Sequence, residues 1–315
     1  MTTPPILNSK FNGWVRFLAV SILLFFSHIS FSQTDSITKL NRKENIVGLT
    51  LSGGYLGSML GLYQLWYTDY PQSKFHFFND NKEWLHMDKA GHIYSAYTAG
   101  KYSIDMLKWG GYTNRQAAIA GPLYGYLYQT TIEVFDGFSA GWGFSKGDIL
   151  ANTIGTGLFM GQALAWNEQR ISIKLSFLPT SFSKVRPEVL GENLVENLFK
   201  DYNGQTYWLC VNPKSFAPKS NWPGWIDISL GYGATGMYGG EDNIWHAEDF
   251  PKTFDYSSTP RRMKFYLAPD INLEKLKIKK KWLKYSLKIL NTLKFPLPAL
   301  NFTQGVGFKF ESLKF

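Results

Sequence analysis

The chain has 315 residues, of which 44% are hydrophobic and 17% aromatic, enough apolar material for one large domain or two smaller ones. A single cysteine, Cys210, excludes an intramolecular disulfide, and its apolar neighbours Tyr207, Trp208, Leu209 and Val211 predict a buried, inert thiol. The formal charge of +9 is a modest excess carried largely by the last hundred residues, which suits anionic lipid headgroups better than nucleic acid.

Residues 1–32 read as a secretory signal peptide. Lys10 and Arg16 form a basic start, Phe17 to Phe26 an apolar core too short to span a bilayer, and Ser30-Phe31-Ser32 a small-residue cleavage site before Gln33. Lipid attachment through an N-terminal cysteine is not expected. Residues 33–44 read as a linker.

Residues 45–168 read as a glycine-rich bundle of about four helices, associated with the membrane. Asn45 to Thr68 is free of internal charge and long enough to span, with Gly53, Gly57 and Gly61 making one face bare backbone. Gly121/Gly125 and Gly157/Gly161 repeat that spacing, so close helix approach, spanning or deep in one leaflet, is expected. A second helix is predicted from Asp88 to Trp109, with Lys101 and Asp105 as a solvated ion pair. The third runs from Asn114 to Phe135, kinked at Pro122. The fourth runs from Lys146 to Trp166, with Ser145 as N-cap and Asp148 in the first turn.

From Ile171 the period changes to two. Runs starting at Ile171, Ile226, Met263 and Val306 alternate apolar and polar residues, and the last slips register at Ser312–Leu313. Five or six strands are too few for a closed barrel, so residues 169–315 read as an antiparallel, strand-rich region packed on the helices or the membrane surface. Within it, Leu276 to Phe295 reads as a basic amphipathic helix with Leu283, Leu287, Leu290 and Leu293 on one face. Trp282, Lys284, Leu287 and Lys288 are its expected membrane contacts. The fold class is therefore α+β.

The most informative residues are polar ones at helical spacing inside apolar segments: Asp88/His92, Glu133/Asp136 and Asp148/Asn152, with Lys89 beside the first pair. Residues three or four apart share a helix face, and buried carboxylates need a partner, a ligand or a metal. Asp88, His92, Glu133 and Asp136 are the candidate ligands of a divalent metal such as zinc, manganese or iron. For acid–base chemistry, His92 is the candidate base with Asp88 as its orienter, and Ser95, Ser139 and Ser145 are candidate nucleophiles. A satisfied structural network is the alternative, with Asp136-Gly137 as a turn and Asp88 and Asp148 as helix caps.

Met87-Asp88-Lys89-Ala90-Gly91-His92, Glu133-Val134-Phe135-Asp136-Gly137 and Gly143-Phe144-Ser145-Lys146-Gly147-Asp148 occur in that order. Over roughly residues 45–168 these blocks resemble the YfiM-like family of predicted periplasmic lipoproteins. Asp88, Lys89, His92, Glu133, Asp148 and Asn152 also resemble the looser pattern of VanZ-like membrane proteins. Both resemblances imply an envelope setting and neither implies a substrate. The expected function is an exported, membrane-associated envelope protein on the periplasmic side, with the outer membrane as its site. The alternatives are a hydrolase or transferase acting on an envelope lipid or polyprenyl-linked substrate, and an interaction module working through the C-terminal sheet. Membrane lipid and an envelope protein are the expected partners.

Overall fold

The computed structural model describes residues 42–67, 70–246 and 252–314. The signal peptide, its cleavage site, most of the linker, Thr68 and Phe315 lie outside them.

Four long helices come first: α1 (Arg42–Leu62), α2 (Met87–Gly110), α3 (Asn114–Gly137) and α4 (Lys146–Trp166). Their ends follow local chemistry. Thr113 and Gln116 form a capping box for α3, and Ser145 accepts the Asp148 N–H to cap α4. Helix α3 continues through Pro122 as one element. It also continues through Asp136 to Gly137, so the turn expected at Asp136-Gly137 is absent; the Asp136 carboxylate is taken by Tyr67 instead.

Among the described residues no helix is long and apolar enough to cross a membrane, which corrects the span expected over Asn45–Thr68. The helix ends at Leu62 and passes into a π turn at Tyr63–Tyr67. It lies along the bundle by burying Val47, Leu51, Tyr55 and Met59, a stripe at four-residue spacing. The glycine stripes are also corrected. A Cβ at Gly53, Gly57, Gly61, Gly157 or Gly161 would meet no described atom within 4 Å, so these glycines bring no helix close. Only the α3 pair does so: a Cβ on Gly121 would lie 2.8 Å from the Ile104 nitrogen, and one on Gly125 2.9 Å from the Ala99 Cβ. Gly155 likewise sets α4 against the Ile93 carbonyl of α2.

Short parallel strands β1 (Phe77–Phe78) and β2 (Phe144–Ser145) tie the loop before α2 to the start of α4. The remaining strands are β3 (Ile171–Phe177), β4 (Gln205–Val211), β5 (Ile226–Thr235), β6 (Ile244–His246), β7 (Thr253–Asp255), β8 (Arg262–Ile271), β9 (Leu297–Thr303) and β10 (Gly307–Lys314). Strands β6 and β7 pair apart, and the rest form one antiparallel sheet in the order β10-β9-β8-β5-β4-β3. The register of β10 on β9 shifts between Glu311 and Lys314, where the alternation slips. Helix α5 (Leu194–Lys200) and two single turns, Pro187–Leu190 and Pro213–Phe216, fill connections.

The sheet curls. Lys174 on β3 meets Asp270 on β8 at 2.7 Å, although three strand spacings of about 4.8 Å would hold their backbones about 14 Å apart on a flat sheet. Lys294 reaches the same carboxylate at 3.4 Å, and all three side chains are fully buried. Ser229 donates to the equally buried Cys210 sulfur, and burial pushes that thiol's pKa up. The concave face thus buries these charges beside an apolar cluster of Trp208, Tyr266, Ala268 and Ala299, and the opposite face is apolar. The helices cover part of the apolar face: Met87 of α2 packs with Tyr207, Ala234 and Met237.

The basic helix α6 (Lys281–Leu290) is shorter than the expected Leu276–Phe295. Trp282 and Lys284 are exposed, whereas Leu287 and Lys288 are half-buried against the protein. Lys288 pairs with Asp105, and Lys101 pairs with Glu274 at 2.6 Å. Lys101 and Asp105 are therefore docking points for the C-terminal segment and not a solvated pair with each other.

Candidate functional site

The polar residues meet where α2, α3 and α4 converge. Asp88, Lys89 and His92 come from the first turns of α2, Glu133 and Asp136 from the last two turns of α3, and Asp148 and Asn152 from the first two turns of α4. His92 Nε2 lies 3.6 Å from Glu133 Oε1, 3.7 Å from Asp88 Oδ1 and 3.8 Å from Asp148 Oδ1. These separations exceed a hydrogen bond but approach the distance of about 3.4 Å between two ligands about 2.1 Å from one tetrahedral ion. Asp88, His92 and Asp148 each present a ligand atom, all within 4.8 Å of one another. Glu133 Oε1 is buried and has no hydrogen-bond partner among the described residues.

His92 Nδ1 lies 3.1 Å from Asn152 Oδ1. That contact orients the ring so that Nε2 lies towards the carboxylates. The orienting bond expected from Asp88 comes from Asn152.

Lys89 is the internal counter-ion, 2.7 Å from Asp80 and from Asp148 and 3.1 Å from Asp88. Asp136 stands apart, accepting from the Tyr67 hydroxyl at 2.7 Å. Ser145 is part of the frame: its N–H donates to Glu133 at 3.2 Å and its hydroxyl to Asp80 at 2.6 Å. The sheet half also contributes, because the Tyr202 hydroxyl donates to Asp88 Oδ1 at 2.8 Å. Among the serines only Ser95 lines the adjoining cavity; the Ser139 hydroxyl accepts the Gly141 N–H.

Carboxylates outnumber cations here. Burial and the Asp136 charge push Glu133 up to about 9, and burial pushes Asp136 up to about 7. Burial and Asp88 move Asp148 upward as well. Asp88 is itself held below its ordinary value: burial opposes this, but His92, Lys89 and the Tyr202 bond outweigh it. Lys89 is raised by Asp88 and Asp148 against the opposing effect of burial. A site of this kind holds either protons or a metal cation.

The approach to the cluster is strained. Trp84, Leu85 and His86 occupy the left-handed region in succession, with φ of 49°, 49° and 62°. The Trp84 N–H to Gly240 bond of 2.7 Å and the Tyr232 hydroxyl on the Leu85 carbonyl hold that turn.

A cavity of about 550 Å³ adjoins the cluster. Asp88, His92, Asp136 and Asp148 give it a polar side; Tyr94, Tyr202, Tyr207, Leu175, Leu293 and Trp142 are among its apolar and aromatic lining. Sequence periodicity missed Asp80, Glu83 and Tyr202, which also line it. They lie in loops and a turn, where no period marks a face; the polar run Asn79-Asp80-Asn81 was the only signal.

Residues 76–161 match the model of a family described as a predicted periplasmic lipoprotein (DUF2279). The matched stretch runs from β1 into α4 and includes all seven residues of the polar cluster. It supports export and a periplasmic, envelope location. No curated protein and no solved structure matches the chain.

Proposed function

We propose that this is an exported, membrane-associated envelope protein whose helical part binds a divalent cation between Asp88, His92, Glu133 and Asp148. Beside the cation it receives the polar end of an amphiphilic ligand, such as an envelope lipid or polyprenyl-linked molecule. One observation carries the reading: His92 Nε2 lies 3.6 to 3.8 Å from three carboxylate oxygens, one of them, on Glu133, buried and without a hydrogen-bond partner among the described residues. The cavity's polar side beside aromatic and aliphatic residues suits a ligand with a charged head and an apolar tail. A hydrolase or transferase acting on that ligand is the alternative use of the site, in which no cation is bound and His92, held by Asn152 and close to Asp88, is the base. The strand-rich half fits the outer membrane better than the inner, and the YfiM-like and VanZ-like resemblances accord with an envelope role.

Metal content tests it. The chain purified without chelators is expected to carry close to one divalent ion, and Asp148→Asn and His92→Ala are expected to lose it while keeping their helical circular dichroism. The Lys89 contacts favour a second reading, a charge network that only fastens the three helices. Absence of metal from all three proteins, with both variants destabilised, would decide for that network.

A further inference from the structure

We infer that the uncovered part of the sheet's convex face enters the hydrocarbon of a lipid bilayer. The inference specifies the membrane association proposed above and does not depend on the cation site.

The sheet buries charges on one face, beside a cluster of Trp208, Tyr266, Ala268 and Ala299, and exposes apolar residues on the other. Its concave side encloses Lys174, Asp270, Lys294 and Asp227, all buried, beside Trp208 and Ser229. A chain folding for water gains by burying apolar residues and wetting the charged ones. Here the charges are inside, at a desolvation cost that paired geometry offsets.

The convex side is apolar in register. Leu209, Leu230, Leu267, Leu300 and Phe310 are consecutive cross-strand partners on β4, β5, β8, β9 and β10. Each is exposed, Leu230 at 55% and Phe310 at 67%. The next row, Tyr232, Phe265, Phe302 and Phe308, is aromatic throughout. A continuous aliphatic row beside an aromatic one, backed by buried charges, has the pattern of a lipid-facing β-surface.

A protein partner is the other occupant such a patch can take. Lipid is favoured because the exposed rows are aliphatic and aromatic across five adjacent strands, with no charged residue among them. The exposed Trp282 and Tyr285 also lie among the lysines of α6, a composition suited to anionic headgroups.

The test uses the full purified chain with Cys210→Ala, so that single cysteines at Leu230, Phe265 and Phe308, and a control at Ser258, can each carry an environment-sensitive fluorophore. Vesicles of phosphatidylethanolamine and phosphatidylglycerol are added, with or without lipids spin-labelled in the acyl chain. The expected result is a blue-shifted emission and quenching by the spin-labelled chains at the three sheet positions, with neither at Ser258. The inference is overturned if the sheet positions stay water-like with vesicles, or if they are shielded without lipid in a dimer of defined mass. An unlabelled Leu230→Asp/Phe308→Asp variant with native circular dichroism is expected to lose most vesicle binding. If it keeps its metal content, the two proposals are separated: loss of lipid contact would leave the cation reading standing, and the reverse holds for the Asp148→Asn variant.

Discussion

His86 shows how a single residue records the cost of building the site. It is exposed, holds φ of 62° and begins α2 one residue before Met87 and two before Asp88. An L side chain in that region costs about 1–2 kcal/mol, a cost that glycine avoids. His86→Gly is therefore expected to stabilise the fold by about 1 kcal/mol, read as a higher urea midpoint with an unchanged slope. A lower midpoint would mean that the imidazole contributes a contact worth more than the strain. At the same scale, the Asp88/His92 and Asp148/Asn152 spacings were legible because two residues four apart on a helix must share a face. The pairing of His92 with Asn152 was not legible, because sixty residues separate them and only the α2–α4 approach at Gly155 brings them together.

Glycines separate the roles of the helices. At Gly155 an added methyl would drive into the Ile93 backbone of α2, whereas at Gly57 it would meet no described atom within 4 Å. Gly155→Ala is expected to destabilise by about 1–3 kcal/mol. Gly57→Ala is expected to stabilise by up to about 1 kcal/mol through helix propensity. Thermal unfolding of the two variants checks this, and equal effects would remove the distinction drawn between packed and open stripes. Sequence spacing could not make that distinction, because Gly53/Gly57/Gly61 and Gly121/Gly125 carry the same four-residue signal. Lys101 and Asp105 teach a similar lesson. Their spacing permits a pair on one helix, but Glu274 and Lys288, well over a hundred residues later, take them instead. Strand β10 was the opposite case. Its register slip appeared in the alternation because period two is local, and the pairing with β9 reproduces it.

For the molecule as a whole, the site is a store of protons that links stability to pH. Asp80, Asp88, Glu133, Asp136 and Asp148 face Lys89, His92 and the Tyr67 hydroxyl. Glu133 at about 9 and Asp136 at about 7 keep protons that the unfolded chain releases near pH 4. The native state then binds more protons across that window, so stability falls as pH rises from about 4 towards 9. Asp88, held low, acts in the other direction and loses its contribution only as pH falls through its own depressed value. With chelator present, the urea midpoint is expected to be lower at pH 8.5 than at pH 5, and saturating divalent cation is expected to reverse that difference. A midpoint that rises with pH in chelator would show that these carboxyls are ionised in the native state.

The sequence by itself determined three helices between Asp88 and Trp166 to within two residues at their ends, the change to strands at Ile171 and the identity of seven polar residues inside apolar helices. Caps, periods and charge placement act over a few residues and are written locally. Only the tertiary structure decided what those features face. It turned α1 along the bundle, gave Asn152 to His92 and Tyr202 to Asp88, and curled the sheet so that charges lie within and leucine and phenylalanine without. Alternation fixes that a strand has two faces, but which one meets the interior depends on what packs there, and that is settled between residues far apart in the chain.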